Sequence, residues 1–521
     1  MKAREHATPV KRPATSARPP AQRATAVPPT LIPGRQRSAL DRVVNLQRTA
    51  GNQAVVQLAK KAAAPVAVTP EELSTLTSSV AKAAHDIVGT PAAADLFGVI
   101  TAQVNRKKPR ATAPKHKDTD PLAGLYTELY SKDTVALLAR LNQAQRLEVV
   151  NGLLDALIPQ LGAADKTTGA VTAPDAPIGN ATAAAAEESS VSKQITNNCE
   201  GGWPNVRRTV LATFGALEVG PDAAIGRANA FYDKMVRSEL LGVKGSLVHP
   251  DMQAALDAAG TWIKSQPGVD VEAVKAGMGK PGGFWIRPNR NNPLALSEHS
   301  FGFAIDLNAP MNPNIGKKGG LDAVKDATGV NSTNATGVDP TKQEDDGLDA
   351  AGVQKVAATL HQASADYVAV MSEPARFTAR VRQIADGVRA AEKIKNLDDT
   401  GAEALSTLLR TGKGAAPAVD AVLTAAFGEV AATDAQKAAA ATLVRLAKVW
   451  RLANPASGKR PKAATEGTVG SVAANGFLNL QPMLVGGLSG TNAGNLNWLG
   501  CSSVHDYMHF ELMKGSKPAL F

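Results

Sequence analysis

Hydrophobic and polar positions alternate along a short stretch in the second half of the chain. In the sequence FAIDLN, Phe303, Ile305 and Leu307 alternate with Ala304 and Asp306. Successive side chains of a β-strand point to opposite faces of its sheet. The pattern therefore predicts a strand that buries its large hydrophobic side chains and presents Asp306 on the other face.

The same alternation recurs close to the C-terminal end of the sequence. Met508, Phe510 and Leu512 alternate with His509 and Glu511. We expect a second short strand here, in which His509 points away from the core.

The residues that lead into these strands are predicted to be loops and turns. His299 precedes Asp306 by seven residues, an odd spacing that puts the two side chains on opposite faces of a straight strand. A loop over residues 297–302 removes this conflict, and Gly302 permits the close backbone turn that the loop needs. Asp506 falls in the turn that leads into the second strand.

The histidines and carboxylates of these two stretches predict a metal site. A catalytic zinc site takes three protein ligands and keeps one position open for water. We predict that His299, Asp306 and His509 are the zinc ligands and that Asp506 is the general base. Such a set of residues supports amide hydrolysis assisted by a metal ion.

A helical interpretation of the sequence HDYMH is an alternative. It would place His505 and His509 on one face of a helix, as in the HExxH zinc motif. That motif needs a glutamate as its base, and the neighbouring Gly, Ser, Tyr and Phe residues favour a turn and a strand. We therefore expect His505 at the rim of the site, and Glu511 either behind a ligand or at the surface. The other histidines, for which we expect structural or exposed roles, are His6, His85, His116, His249 and His361.

Helical signals mark the region ahead of the predicted metal site. Thr69 and Glu72 match a capping box, which predicts the start of a helical domain over residues 69–162. Residues 163–196 are rich in Ala, Gly, Thr and Pro and are predicted to form a linker. We expect the domain with the metal site to span residues 197–521.

A long helical insertion separates the two predicted strands. About two hundred residues lie between Asp306 and His509. Alanine-rich helices are predicted over about residues 348–452, where one stretch has an amphipathic face and the sequence TDAQ begins a further helix. The residues of that face are Phe377, Val381, Ile384 and Val388.

The net charge of the chain, +10 at pH 7, comes from its N-terminal end. Residues 1–61 contain twelve Lys and Arg against two acidic residues, and the remainder is balanced at 45 basic to 45 acidic. The composition predicts a disordered basic leader over residues 1–38 and a short helical segment over residues 39–61. We expect no nucleic-acid interface, no membrane span and no Sec signal. Two cysteines, Cys199 and Cys501, are too few for a disulfide framework.

The two metal-binding stretches together resemble the zinc peptidases that cut peptidoglycan stem peptides. SEHSFGFAID matches the pattern S-x-H-x-x-G-x-A-x-D, and DYMHFEL matches the acid-x-x-H block of VanY-type D-alanyl-D-alanine carboxypeptidases and L-alanyl-D-glutamate endopeptidases. The resemblance implies an α+β fold, a small antiparallel-sheet zinc peptidase domain of the VanY/Hedgehog-like type with a large helical insertion. It also implies that GGFWIRPNRNNP carries the arginine that binds substrate and stabilises the transition state, with Arg287 as the first candidate and Arg290 as the second. The acid at position 506 is Asp, as in the endopeptidase branch, whereas the carboxypeptidase branch usually has Glu.

The sequence LQRTAGNQAVVQL resembles N-terminal segments of proteins encoded alongside extracellular contractile injection systems. This resemblance implies an effector or cargo that is made in the cytoplasm, leaves with such a particle or by lysis, and acts on peptidoglycan stem peptides. One alternative is a phage-type endolysin, which also lacks a Sec signal. Another is a catalytically silent binding module or structural cargo protein.

Overall fold

The computed structural model describes residues 67–117, 119–158, 206–289, 292, 294–316, 319–329, 348–411, 416–428, 432–500, 502 and 504–520. The predictions for the leader, the segment 39–61, the linker, Arg290 and both cysteines lie outside these residues. The described residues from Val68 onward belong to one compact unit.

Helices make up most of the described chain, and two small antiparallel sheets lie among them. The α+β class predicted from the sequence is confirmed. No helix of the described ranges is long and apolar enough to cross a membrane. The helices are α1 (Pro70–Ala84), α2 (Leu96–Val104), α3 (Ala123–Leu129), α4 (Lys132–Arg140), α5 (Gln143–Leu157), α6 (Val206–Thr213), α7 (Ala216–Val219), α8 (Pro221–Tyr232), α9 (Pro250–Ser265), α10 (Val271–Met278), α11 (Gly320–Thr328), α12 (Ala350–Ser372), α13 (Pro374–Ala391), α14 (Asp399–Arg410), α15 (Val419–Phe427), α16 (Asp434–Ala453), α17 (Val469–Asn475) and α18 (Pro482–Ser489). The strands are β1 (Val236–Leu240), β2 (Val243–Val248), β3 (Ala304–Asp306), β4 (Leu496–Trp498) and β5 (His509–Leu512).

The second sheet joins the two stretches whose hydrophobic and polar positions alternate. β5 lies between β3 and β4 and is antiparallel to both. Asp306 pairs with His509, and Ile305 pairs with Phe510. Ile305 and Phe510 are fully buried in the core, so Asp306 and His509 lie together on the opposite face. The predicted facing of both strands is therefore confirmed.

The first helices pack directly against the part of the chain that follows residue 205. α1 begins at the predicted capping box, in which the N–H of Glu72 donates to Thr69 Oγ1 at 3.2 Å and the N–H of Thr69 donates to Glu72 Oε2 at 2.8 Å. α1 packs against α3 and α5, and α5 contacts α6. Arg208 of α6 pairs with Asp155 of α5, with 2.8 Å between Nε and Oδ1. These helices therefore form one structure with the residues around the sheets.

The helices of the predicted insertion pack against the same core. α12 lies along α18, which also contacts α9. α16 begins directly after Thr433, which forms the predicted capping box with Gln436. Arg445 of α16 makes two hydrogen bonds, of 2.7 and 3.0 Å, to the carboxylate of Asp326 in α11. The insertion thus extends the core and does not stand apart from it.

The predicted hydrophobic face of α13 packs inward. Phe377 and Val381 are fully buried, and the ring of Phe377 lies 4.6 Å from that of Trp450 in α16. Ile384 and Val388 are partly buried against the same core. The amphipathic pattern of this helix therefore predicted its contact surface.

Candidate metal centre

The three side chains predicted as metal ligands lie together in the structure. His299 Nε2 lies 3.3 Å from Asp306 Oδ1, and His509 Nδ1 lies 3.1 Å from the same oxygen. The ligand atoms of the three residues all lie within 4.8 Å of one another. This group could hold a metal ion, and the described part of the chain has no second group of His, Cys, Asp or Glu with that geometry.

Glycines place His299 beside the strands. The predicted loop is a short 3-10 helix, Glu298–Phe301, which ends at Gly302 with a φ of 64°. Glycine adopts this left-handed conformation without steric cost, so the chain can turn into β3. Gly283 has a φ of +117°, and a Cβ at this position would come within 2.5 Å of His299 Nδ1. Glycine at position 283 therefore makes room for the imidazole ring.

Each histidine has one ring nitrogen fixed by an acceptor behind it. His299 Nδ1 lies 3.2 Å from the carbonyl oxygen of Ala304, and His509 Nε2 lies 3.3 Å from Glu511 Oε2. In the neutral form of each ring these two nitrogens carry the proton, and His299 Nε2 and His509 Nδ1 then have the lone pairs that a metal ion would bind. Glu511 also accepts a hydrogen bond from Asn497 Nδ2 at 3.1 Å. Glu511 thus lies behind His509, a predicted ligand, which is one of the two positions expected for Glu511.

Burial and charge act in opposite directions on the titration of this group. Burial raises the pKa of Asp306, but the charge and hydrogen bonds of His299 and His509 outweigh burial and hold that pKa well below its usual range. Burial lowers the pKa of His509, but hydrogen bonds and charge from Asp306 and Glu511 raise it to about 10. At neutral pH, Asp306 of the metal-free group is therefore a carboxylate, and His509 is an imidazolium with a proton on each ring nitrogen.

Asp506 lies beside the group, and only one of its two carboxylate oxygens accepts a hydrogen bond from a described residue. Its Oδ2 accepts a hydrogen bond from Asn314 Nδ2 at 3.2 Å. Its Oδ1 is buried and has no hydrogen-bond partner among the described residues. Burial raises the pKa of Asp506, and His509 and Asn314 offset part of that rise. A carboxylate in this state is suited to accept a proton.

A cleft of about 510 Å³ opens over these residues. One of its walls is an extended segment in which Gly283, Trp285 and Arg287 line the cleft. Phe284 and Ile286, which alternate with them, are buried in the core. Arg287, the first candidate for the substrate-binding arginine, therefore lines the same space as the metal group.

His505 is neither a ligand nor a cleft residue, so the prediction that it lies at the rim is wrong. Its side chain is 3% exposed, and it belongs neither to the ligand group nor to the cleft lining. His509 lies on a strand, so the helical interpretation of HDYMH is wrong as well. The backbone at His505 has a φ of 49°, a tight local turn that periodicity does not reveal.

Three of the other histidines fit the structural or exposed roles expected of them. His249 Nδ1 accepts a hydrogen bond from the backbone N–H of Asp251 at 3.2 Å and caps α9. His85 and His116 are exposed. His361 is partly buried in α12 and takes no part in the ligand group.

Some residues that line the cleft could not be predicted from the sequence. Asn314, Thr465 and Glu466 line the cleft, although none lies in a recognisable motif. Asn314 pairs through its backbone with both Glu466 and Asp506, which are distant from it along the chain. Only the folded structure brings these residues together.

Compared with known proteins, the chain matches no family model, no curated protein and no solved structure. The assignment of the site therefore depends on its residues and their geometry.

Proposed function

We propose that this chain is a zinc-dependent peptidase that cuts peptidoglycan stem peptides, of the L-alanyl-D-glutamate endopeptidase type in preference to the D-alanyl-D-alanine carboxypeptidase type. The supporting observation is that His299, Asp306 and His509 converge in one cleft that Asp506 also lines, and that Asp506 Oδ1 has no hydrogen-bond partner among the described residues. Two imidazoles and a carboxylate are a donor set that zinc accepts in catalytic sites, which keep one position open. The sheet around the site would then belong to a VanY/Hedgehog-like domain.

Each of these residues has a separate role in the proposed hydrolysis. Zinc held by the three ligands would supply Lewis acidity, which polarises a carbonyl and lowers the pKa of water. Asp506 accepts a proton from the attacking water through Oδ1 and returns it to the leaving amine. Asn314 holds Oδ2 by a hydrogen bond and so leaves Oδ1 to accept the proton. Arg287 stabilises the negative charge that develops on the scissile carbonyl oxygen.

Digestion of purified muropeptides tests this proposal. The zinc-loaded protein should release peptide fragments, chelation should stop the reaction, and added zinc should restore it. Asp506→Asn should keep its zinc and lose turnover by about 10²-fold or more. Mass spectrometry of the products distinguishes cleavage after L-alanine from removal of the terminal D-alanine. Zinc binding without turnover on any muropeptide would instead favour a catalytically silent module.

We further propose that residues 1–61 direct the protein to a contractile injection particle. The support is the sequence: this segment carries the whole net charge and contains LQRTAGNQAVVQL. A segment of this composition can become ordered when it binds a carrier. Residues 1–61 fused to a reporter should co-purify with assembled particles, and the protein without them should not. Unchanged association after the deletion would favour the endolysin alternative.

A further inference from the structure

The arginine segment, residues 282–288, carries Arg287 across the metal site outside both sheets. Its first residue, Gly282, exchanges two backbone hydrogen bonds with Asp306, at 3.1 and 2.8 Å. Its last residue forms a backbone bridge with Leu296. The residues between these two pairings belong to neither sheet. Backbone pairing therefore fixes both ends of the arginine segment, and its middle depends on other contacts.

The hydroxyl of Ser300 holds the middle of the arginine segment. Ser300 is fully buried, and its Oγ accepts a hydrogen bond from the N–H of Arg287 at 3.0 Å. The same Oγ lies 2.9 Å from the carbonyl oxygen of Arg287 and 3.2 Å from that of Trp285. A serine hydroxyl donates one proton and accepts up to two hydrogen bonds. The one hydroxyl therefore binds both backbone polar groups of Arg287.

Ser300 belongs to the same turn as a predicted metal ligand. It follows His299 directly in the 3-10 helix Glu298–Phe301. The N–H of Ser300 donates to the carbonyl of Ser297 at 2.8 Å, and the N–H of Ser297 donates to the carbonyl of Arg287 at 3.0 Å. The turn thus binds the backbone of Arg287 through both the Ser300 hydroxyl and a backbone N–H. The position of Arg287 is therefore coupled to that of His299.

A shift of this backbone would move the guanidinium that the proposed reaction uses. Phe284 and Ile286 are buried in the core, while Trp285 and Arg287 line the cleft. A donor that stabilises an oxyanion must lie about 2.7–3.1 Å from the oxygen. A misplacement of about 1 Å, caused by a residue away from the chemistry, can cost roughly 100-fold in rate. The hydrogen bonds of Ser300 therefore act on a distance to which catalysis is sensitive.

We infer that Ser300 is a positioning residue, which fixes Arg287 relative to the metal ligands so that the guanidinium meets the developing oxyanion. This inference rests on the proposed peptidase function and adds a residue to its machinery. Ser300 is itself buried and is not among the residues that line the cleft. It therefore acts through Arg287 and not by contact with the substrate.

The position of Arg287 can be measured without turnover. Cobalt(II), which imidazole and carboxylate ligands also bind, is loaded in place of zinc into protein with isotope-labelled arginine. The paramagnetic ion displaces the NMR signal of each arginine by an amount that depends on its distance and direction from the metal, and Arg287→Lys identifies the signal by its loss. We expect Ser300→Ala to change the cobalt-induced displacement of the Arg287 backbone amide. Ser300→Cys keeps a side chain of similar shape but forms only weak hydrogen bonds, so it should show the same change.

Steady-state kinetics on muropeptides provide a second readout. Ser300→Ala should lower kcat by about 10- to 100-fold and raise KM by much less, with zinc content unchanged. In the Arg287→Ala background the same substitution should lower kcat by less than about twofold, because that variant has no guanidinium to misplace. A residue that only stabilised the fold would lower kcat by the same factor in both backgrounds.

Ser364→Ala is the matched control, because Ser364 is also buried and its Oγ accepts hydrogen bonds from the N–H groups of Phe477 and Leu478 at 2.9 and 3.1 Å. It should lower the melting temperature and leave both the cobalt-induced displacement of Arg287 and kcat unchanged.

Three results would each overturn the inference. They are an unchanged displacement of Arg287 in Ser300→Ala, an equal change in Ser364→Ala, and an undiminished effect of Ser300→Ala on kcat in the Arg287→Ala background. Failure of the wild-type protein to cleave muropeptides would instead count against the proposed reaction, and the cobalt measurement would still show whether Ser300 positions Arg287.

Discussion

Asp306 and His509 face each other across adjacent antiparallel strands, and 3.1 Å separates Oδ1 of the first from Nδ1 of the second. They are 203 residues apart in the sequence, and the helical insertion lies between them. The strand pairing that joins Asp306 to His509 therefore closes a loop that contains the helical insertion. The residues of the site and the helices of the insertion belong to one compact unit.

Replacement of His509 by alanine should abolish metal binding. The substitution removes one of three ligands and leaves Asp306 with a single histidine partner. We expect one zinc ion per chain in the wild-type protein and almost none in His509→Ala, measured by elemental analysis after dialysis. His505→Ala is the matched control and should keep its zinc, since His505 lies outside the ligand group. Full zinc occupancy in His509→Ala would show that this ligand assignment is wrong.

Metal binding should release a proton from His509. The pKa of His509 in the metal-free protein is raised to about 10, so the ring is protonated at pH 7 to 8 and must lose that proton to bind a metal. Asp306 contributes no proton there, because its pKa is held low. We expect about one proton or more per zinc, and affinity that rises with pH, in calorimetric titrations in buffers of different ionisation enthalpy. Binding without proton release would contradict the raised pKa.

The same pKa predicts how the stability of the metal-free protein depends on pH. A histidine whose pKa is raised on folding stabilises the folded state fully below its unfolded value of about 6.5, and this contribution disappears as pH rises through the folded value. The free energy of unfolding of the metal-free protein should therefore lose the His509 contribution between pH 6.5 and about 10. Denaturant unfolding of the chelated protein across this pH range measures the free energy of unfolding. His509→Ala is the reference, because it lacks the contribution of this histidine.

Asn314→Ala should impair the base without removing the metal. The hydrogen bond from Asn314 lowers the pKa of Asp506, so its loss should raise that pKa and move the acidic limb of the pH–rate profile to higher pH. A hydrogen bond to a charged group is worth about 1.5–3 kcal/mol, so the displacement of the acidic limb should be large enough to measure. Zinc content should stay unchanged.

Asn312→Ala separates this effect from a general loss of structure. Asn312 is fully buried, and its Oδ1 accepts hydrogen bonds from the N–H groups of Asn479 and Leu480 at 2.6 and 3.1 Å. Its replacement should lower the melting temperature and leave the acidic limb in place. An equal displacement of the limb in both variants would argue against a specific role for Asn314.

Local sequence patterns were sufficient to predict β3 and β5 and to select the three residues that converge between them. The two-residue period of a strand is a local property, so the alternation around Ile305 and Phe510 indicated which face carries Asp306 and His509. Helix starts at Thr69 and Thr433 were equally local, because a capping box spans only four residues. These predictions needed no knowledge of what lies across the sheet.

The features that were missed depend on tertiary contacts. The rim position expected for His505 was wrong: this residue is buried in a turn where its φ is 49°, and no local pattern indicates such a turn. Glu466 and Asn314 reach the cleft through a bridge between distant segments, and neither belongs to a motif. Backbone pairing of this kind leaves no periodic signal in either segment.

Gly283→Ala should weaken metal binding although it replaces none of the three predicted ligands. The added Cβ would come within 2.5 Å of His299 Nδ1, and the φ of +117° is unfavourable for any other residue. We expect the imidazole to be displaced and zinc affinity to fall by about tenfold or more, since supporting groups of this kind contribute 10–100-fold. Gly282→Ala is a close control, because its Cβ would meet no atom nearer than 3.7 Å. Equal zinc affinity in both variants would mean that the backbone at residue 283 moves and the imidazole ring of His299 keeps its position.

Removal of residues 1–162 should lower stability and leave the chemistry intact. No described residue of α1 to α5 lines the cleft, but Arg208 would lose Asp155, and Leu217 would lose the hydrogen bond of 2.9 Å that its carbonyl accepts from the N–H of Gly89. Loss of this ion pair and of this hydrogen bond should cost about 1–2 kcal/mol and lower the melting temperature by a few degrees. Asp155→Asn in the full-length protein should reproduce part of this loss.

Thermal unfolding of the zinc-loaded proteins measures the loss of stability, and kcat/KM on muropeptides measures the chemistry. A fall in kcat/KM with an unchanged melting temperature would mean that these helices serve the active site, and residues 197–521 would then not be the complete catalytic unit.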